Sequence, residues 1–177
     1  MTYELIAENA TDPTRCLLSM SRLDFQPLWA FVHARDLVPA DVFLAVAQGA
    51  DVRVASERTT AIGDALIADI ESGEVDGFVA THREMIESLD LIECDACDGT
   101  GIRTDELARR YGLDLMPLDE VKSIALGRDR GTCNLCDGFG KHANPLARFR
   151  FDIETVRKFA EFLRSCGGCS ITSDGGR

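Results

Sequence analysis

Cys94-Asp-Ala-Cys97-Asp-Gly99-Thr-Gly101 returns 39 residues later as Cys133-Asn-Leu-Cys136-Asp-Gly138-Phe-Gly140, with five of eight positions identical. Two residues between cysteines let one turn aim both thiolates at one point, and two such clips complete a tetrahedral site. The glycines after each pair permit positive φ, so backbone N–H groups can turn inward and hydrogen-bond the sulfurs. Four thiolates with no open position favour zinc held structurally, one ion per chain, with iron or an iron–sulfur centre as the alternative. The 35 residues between Cys97 and Cys133 would not easily bring their ends together unaided. Cys94, Cys97, Cys133 and Cys136 are therefore the candidate ligands, and their ion organises the later half of the chain. Arg103, Lys141 and the Arg128/Arg130 pair can offset the added thiolate charge.

Upstream, residues 1–93 read as an acidic helical domain: a short irregular lead, then four helices. Pro27 suits a first helical turn, with Leu28, Phe31 and Val32 on one face. Pro39 starts a second helix and Gly49 stops it; Val42 to Ala47 is apolar on every side, which predicts a central, buried position. Ser56 can cap a third helix with Ile62, Leu66 and Ile70 inward, ended by Gly73. Val75, Phe78, Val79, Ile86 and Leu89 line a fourth. No period of two is evident, so a helical bundle is expected here.

Residues 94–177 read as a four-cysteine zinc module with a C-terminal helix. Between the clips, one short helix is capped by Thr104 with Leu107 and Tyr111 inward, and another runs from Leu118 to Leu126 behind Pro117. Phe149 to Phe151 is extended. Asp152 then caps an amphipathic helix with Ile153, Val156, Phe159, Ala160 and Leu163 inward, and Gly167 and Gly168 end it. The polar tail, Ser173 to Arg177, is read as frayed. The expected fold class is mainly α: an N-terminal bundle, a small zinc-knuckle β-hairpin module and a C-terminal amphipathic helix.

Composition narrows the function. The chain has 177 residues, 45 % hydrophobic, enough for a core of one domain or slightly more. Its apolar runs fall far short of the roughly 20 residues of a membrane span. Met1 to Ala10 resembles neither a secretory signal nor a transit peptide, so a reducing cytoplasm is expected, and there seven cysteines favour metal or buried thiols over disulfides. Net charge is −11, and the imbalance lies before Cys94, with 17 acidic and 6 basic residues against 13 of each from Cys94 onward. That repels polyphosphate and speaks against general nucleic-acid binding by the first half. Arg128, Arg130, Lys141, Arg148 and Arg150 form the one basic stretch able to contact an anion or partner.

Cys166 and Cys169 make a third Cys-x-x-Cys. It follows the end of a helix, where the dipole opposes a thiolate, so a glycine-rich stop with incidental thiols is the expected reading, with redox work and a second metal contact as alternatives. Cys16 is expected to pack against Leu17 and Leu18. His82 reads as a hydrogen-bonded histidine on the edge of a helix, and His142 as a neighbour of the second clip. Asp69, Glu71, Glu74 and Asp76 lack calcium-loop spacing and read as a solvated helix end. Phe139 can mark a contact surface at a knuckle tip. Nucleophile elbows, phosphate loops and His-Glu-x-x-His are absent, so no enzyme activity is expected.

The two octapeptides resemble the Cys-x-x-Cys-x-Gly-x-Gly repeats of the DnaJ-type cysteine-rich zinc domain. The resemblance covers Cys94–Gly101 and Cys133–Gly140 and implies Cys94, Cys97, Cys133 and Cys136 as ligands of one zinc on a β-hairpin. That family's co-chaperones carry four repeats and two zincs, and their His-Pro-Asp signature is missing here: His33, His82 and His142 precede Ala, Arg and Ala. Single-zinc relatives of the motif occur in small bacterial regulators such as the inhibitor of the tryptophan RNA-binding attenuation protein, where the hairpin binds a protein. Similar knuckles occur in phage antitermination proteins, and the layout as a whole looks like uncharacterised bacterial and phage proteins. The implied role is a non-enzymatic regulator, adaptor or inhibitor. A protein partner is favoured over nucleic acid bound at the 128–150 stretch, with a thiol-redox or chaperone-like protein using Cys166 and Cys169 as a further alternative.

Overall fold

A computed structural model describes residues 1–10 and 16–174. The chain divides into two compact units: Met1–Glu87 together with the residues from Arg148 onward, and Ser88–Ala147. Helix predominates in a mixed α/β architecture.

In the first unit, strands β1 (Thr2–Ala7), β2 (Leu17–Ser21), β3 (Val52–Val54) and β6 (Cys169–Ser173) form an antiparallel sheet in the order β2-β1-β6-β3. This corrects the expectation of an all-helical first 93 residues. Tyr3 and Leu5 do alternate inward, but Ile6, 45 % exposed, and Leu17, 53 % exposed, put apolar side chains on the outer face as well. Alternation of polarity is blurred where both faces carry aliphatic residues. Cys16, expected to pack, is exposed at the start of β2. Ser173, expected in a frayed tail, pairs with Tyr3; positions 175–177 of that tail lie outside the described residues.

Helix α1 (Arg22–Ala34) begins five residues before Pro27, capped by Ser21, whose hydroxyl oxygen accepts from the Asp24 N–H. Proline has no N–H for the carbonyl four residues back, which here is Leu23. Arg150 supplies the missing donor, its backbone N–H reaching the Leu23 oxygen at 2.9 Å. The proline therefore sits inside the helix without an orphaned carbonyl.

Helix α2 (Ala40–Ala47) is not central: only Val46 is buried, and Leu44 is half exposed. The six apolar residues Val42 to Ala47 suit a peripheral helix here because Val42 and Phe43 need only half-cover on the core. Helix α3 (Ser56–Ser72) buries the anticipated Ile62, Leu66 and Ile70 and ends at Gly73, although Ala55, not Ser56, holds the N-cap position. Helix α4 (Glu74–Glu87) presents Val75, Phe78 and Val79 to the core.

Helix α7 (Ile153–Ser165) starts at Asp152, whose carboxylate accepts from the Thr155 N–H at 2.8 Å. It packs against α3, with Gly63 lying so close that a Cβ there would stand 2.8 Å from the Ala160 carbonyl oxygen. Val156, Phe159, Ala160 and Leu163 share one core with Tyr3, Leu5, Phe25, Leu28, Leu66 and Ile171. The sequence division at 93/94, which assigned this helix to the cysteine module, is thereby corrected: α7 and β6 complete the first unit. Tyr3 stacks on Phe25 at 4.1 Å, and Phe78 meets Phe151 edge-on at 4.6 Å.

Asp69 is not on a solvated helix end. It is 7 % exposed and takes a bidentate pair from Arg35, Nη2 to Oδ1 at 2.7 Å and Nε to Oδ2 at 3.0 Å. His82 occupies a hydrogen-bonded, half-buried position, Nε2 lying 3.4 Å from the Phe149 carbonyl oxygen.

Candidate metal centre

Unit Ser88–Ala147 is organised by the two clips. β4 (Ile92–Glu93) enters the first and β5 (Lys141–His142) leaves the second, pairing antiparallel as Ile92↔His142 and Glu93↔Lys141. This two-stranded ladder is not a tight hairpin, because the whole cysteine module lies between its strands. The long connection is tied down by its own backbone. Gly131 N–H donates to the Met116 carbonyl, Thr132 N–H to Leu113 and Leu118 N–H to Asp129, each at 2.9 Å. These bonds fold the connection back on itself and deliver Cys133 to Cys94.

Two short helices occupy the connection, α5 (Glu106–Tyr111) and α6 (Glu120–Leu126). Asp105, not Thr104, caps α5, accepting from the Ala108 N–H at 2.9 Å. Leu107 and Tyr111, expected inward, are 41 % and 64 % exposed, and Ala108 is the buried residue of that helix. A six-residue helix whose neighbours are loops has no apolar wall to receive larger side chains. Asp119 caps α6, which buries nothing.

The four sulfurs converge. Cys94 Sγ and Cys133 Sγ lie 3.8 Å apart, Cys97 Sγ and Cys136 Sγ 3.7 Å, and all four are within 4.8 Å of one another and buried. A disulfide needs about 2.05 Å, so none of these pairs is bonded. Four sulfurs at ~2.3 Å around one tetrahedral ion would sit about 3.8 Å apart, the spacing of the Cys94–Cys133 and Cys97–Cys136 pairs. Burial pushes the Cys97 thiol up to about 12 and the Cys94 thiol in the same direction. A divalent cation would displace those protons, because metal binding and thiol deprotonation are coupled. The arrangement can bind a metal ion, and the donor set suits zinc or iron.

Local two-fold repetition shapes the site. Gly101 N–H donates to Cys97 Sγ and Gly140 N–H to Cys136 Sγ, both at 3.3 Å, as the sequence spacing anticipates. Asp98 and Asp137 take left-handed φ of 47° and 52° at matching positions. The shared aspartate of the two octapeptides was a readable signal for this, since Asp tolerates that region better than most residues.

No family model, curated protein or solved structure matches this chain. The likeness to the DnaJ-type module accordingly stands on the two octapeptides alone.

The basic stretch draws on both units. Arg148 and Arg150 belong to the first unit and Arg128, Arg130 and Lys141 to the second. Arg128 turns inward, Nη2 donating to the carbonyls of Gly138 at 2.7 Å and Gly101 at 3.1 Å, and Nε to Gly131 at 3.3 Å. It ties the first clip to the second, a role that its spacing does not announce. Arg130 and Lys141 remain exposed. His142 directs Nδ1 to the Ala143 carbonyl and is not part of the sulfur cluster. Outer-shell partners typically matter by about 10–100-fold in metal affinity. Arg128→Ala is expected to weaken metal binding by that order, with Arg130→Ala leaving it unchanged, as read by competition against a chromophoric chelator.

Proposed function

We propose that the protein is a non-enzymatic regulator or adaptor in which one structural zinc, held by Cys94, Cys97, Cys133 and Cys136, stiffens a surface that binds another protein. The closed, buried four-sulfur arrangement carries this reading: it leaves no position for an activated water or a substrate. Two features of the same unit support a protein partner. Val121 and Ile124 on α6 are 78 % and 76 % exposed, and Leu135 and Phe139 beside the second clip are 61 % and 59 % exposed. Apolar side chains on a rigid frame are the usual material of a protein contact. Nucleic acid is the second reading, favoured by the exposure of Arg130 and Lys141.

Two measurements test the proposal together. Metal analysis of freshly purified protein should give one zinc per chain. Affinity capture from the host extract should retain a protein that is lost with the double variant Val121→Asp, Ile124→Asp, whose zinc content stays at one. A complex that instead dissolves steeply with salt and disappears with Arg130→Ala would move the assignment to nucleic acid.

A further inference from the structure

A furrow of about 400 Å³ lies between the end of α1 and the first half of α4, wholly within the first unit. Phe31 and Ala34 line it from α1, and Gly73, Gly77 and Thr81 line it at four-residue spacing from α4 and the turn before it. It is thus about two helical turns long. Phe31 is buried and Phe78 half-buried, and their rings, with centroids 4.9 Å apart, form an aromatic floor. The rest of the lining is exposed. A small molecule here would stay largely in water, whereas pockets for such ligands enclose roughly 70–90 % of the ligand surface. An open furrow of this length suits the side of a helix.

Gly77 has no structural reason within the chain. It sits inside α4, where glycine costs about 1 kcal/mol relative to alanine. Among the described residues nothing lies within 4 Å of the Cβ position, and its φ is not left-handed, so neither a close approach nor a turn requires it. Gly73 differs, since its φ of 83° ends α3. What the bare backbone at Gly77 does provide is open space beside Phe78.

Charge selects the occupant. From Thr59 to His82 the chain carries Asp64, Asp69, Glu71, Glu74 and Asp76 and no Lys or Arg. Arg35, on the lining, is already engaged: it donates to both oxygens of Asp69, and its Nη1 stands 3.8 Å from Glu74 Oε2. An anion would have to compete with those carboxylates. α1 and α3 both end at the furrow with the negative poles of their dipoles, against the single start of α4. The rim therefore favours a cation, next to a floor that favours an aliphatic side chain.

We propose that this furrow docks a basic amphipathic helix of a partner protein, which lays an aliphatic side chain beside Gly77 on Phe31 and Phe78 and sets Lys or Arg against Glu74 and Asp76. The site lies in the first unit and stands whether or not the cysteine module binds a partner of its own.

The probe is a labelled helix-forming peptide of Leu and Lys, with Leu at every third and fourth position, titrated into the full-length, metal-loaded chain by fluorescence anisotropy. Saturable binding is expected. A peptide with Glu in place of Lys, and one with Ser in place of Leu, should each bind far more weakly. Gly77→Leu fills the furrow from within the chain and should weaken binding at least about tenfold, the effect of denying one aliphatic side chain its burial. Its thermal midpoint should hold or rise, because leucine is the better helix former and the space is open. Glu74→Gln with Asp76→Asn should weaken binding roughly threefold to tenfold and flatten its salt dependence. Val121→Ser with Ile124→Ser, on the cysteine module, should change nothing, which separates this site from the surface proposed there. Hydrogen exchange of the wild type gives an answer without a variant: the peptide should raise protection at residues 31–35 and 73–81. Binding that survives Gly77→Leu in a folded chain overturns the proposal. So do equal binding of either control peptide, protection changes confined to other segments, or the absence of saturable binding.

Discussion

Removing the metal with a strong chelator is expected to unfold Ser88–Ala147 and to leave the first unit folded. In the cysteine module the buried cluster consists of Cys94, Cys97, Cys133 and Cys136, with Ala96 packed against them. α6 buries no residue and α5 buries Ala108 alone. A unit of this size rarely holds together on so little apolar burial, whereas structural zinc contributes on the order of 10–16 kcal/mol of apparent binding energy. The first unit has its own sheet and aromatic core and no sulfur of the cluster. Hydrogen exchange read by mass spectrometry separates the cases. Protection across 94–140 should collapse without metal while α3 and α7 keep theirs. A module that stayed protected without metal would remove the ion from its structural role.

Nearly as large an effect is expected from one methyl group at Gly101 or Gly140. A Cβ on Gly101 would stand 2.1 Å from the Gly138 carbonyl oxygen, and one on Gly140 2.0 Å from that of Gly99. Both obstacles are backbone, in the opposite clip, so relief requires the two octapeptides to separate. Their φ values of 76° and 75° add the ordinary cost of a left-handed side chain, about 1–2 kcal/mol. Separation also breaks the bond between the clips in which the Cys94 N–H donates to the Gly140 carbonyl at 2.9 Å. Gly101→Ala and Gly140→Ala should each cost more than about 3 kcal/mol, within the range that strain and lost packing produce together. Gly127 is the control: its φ is 65°, with nothing within 4 Å of the Cβ position. Gly127→Ala should cost only the conformational part, about 1–2 kcal/mol. Chemical denaturation of the metal-loaded variants gives the comparison, and equal losses at the three positions would contradict the clasp.

The metal cluster was legible because its information is local and doubled: the same five residues recur at one offset, and each has a stereochemical reason. Helices α3 and α7 were legible from their stripes for the same reason. What the stripes do not encode is the partner. Ile62 and Leu66 identify an inner face without saying that Val156 and Phe159 cover it, and so the division at 93/94 misassigned α7. β1 was lost because Ile6 on the outer face breaks the contrast with Tyr3 and Leu5. Pro27 pointed to a helix start, since a donor arriving from Arg150 is invisible in a one-dimensional pattern. Charge patterning groups Arg128 with the surface cations and carries no sign that its guanidinium serves three carbonyls within the clasp.

The place of β6 in the sheet bears on how the nascent chain matures. Cys169–Ser173 pairs with β1 on one side and β3 on the other, so until it emerges those strands have no middle neighbour. At ~5–20 residues per second, the ribosome needs roughly 5–15 s to travel from Glu87 to β6. The intervening cysteine module is contiguous in sequence and can capture its ion during that delay. Vectorial synthesis therefore favours maturation from the middle outward, with Leu5, Phe25 and Leu66 left without their full cover in the interim.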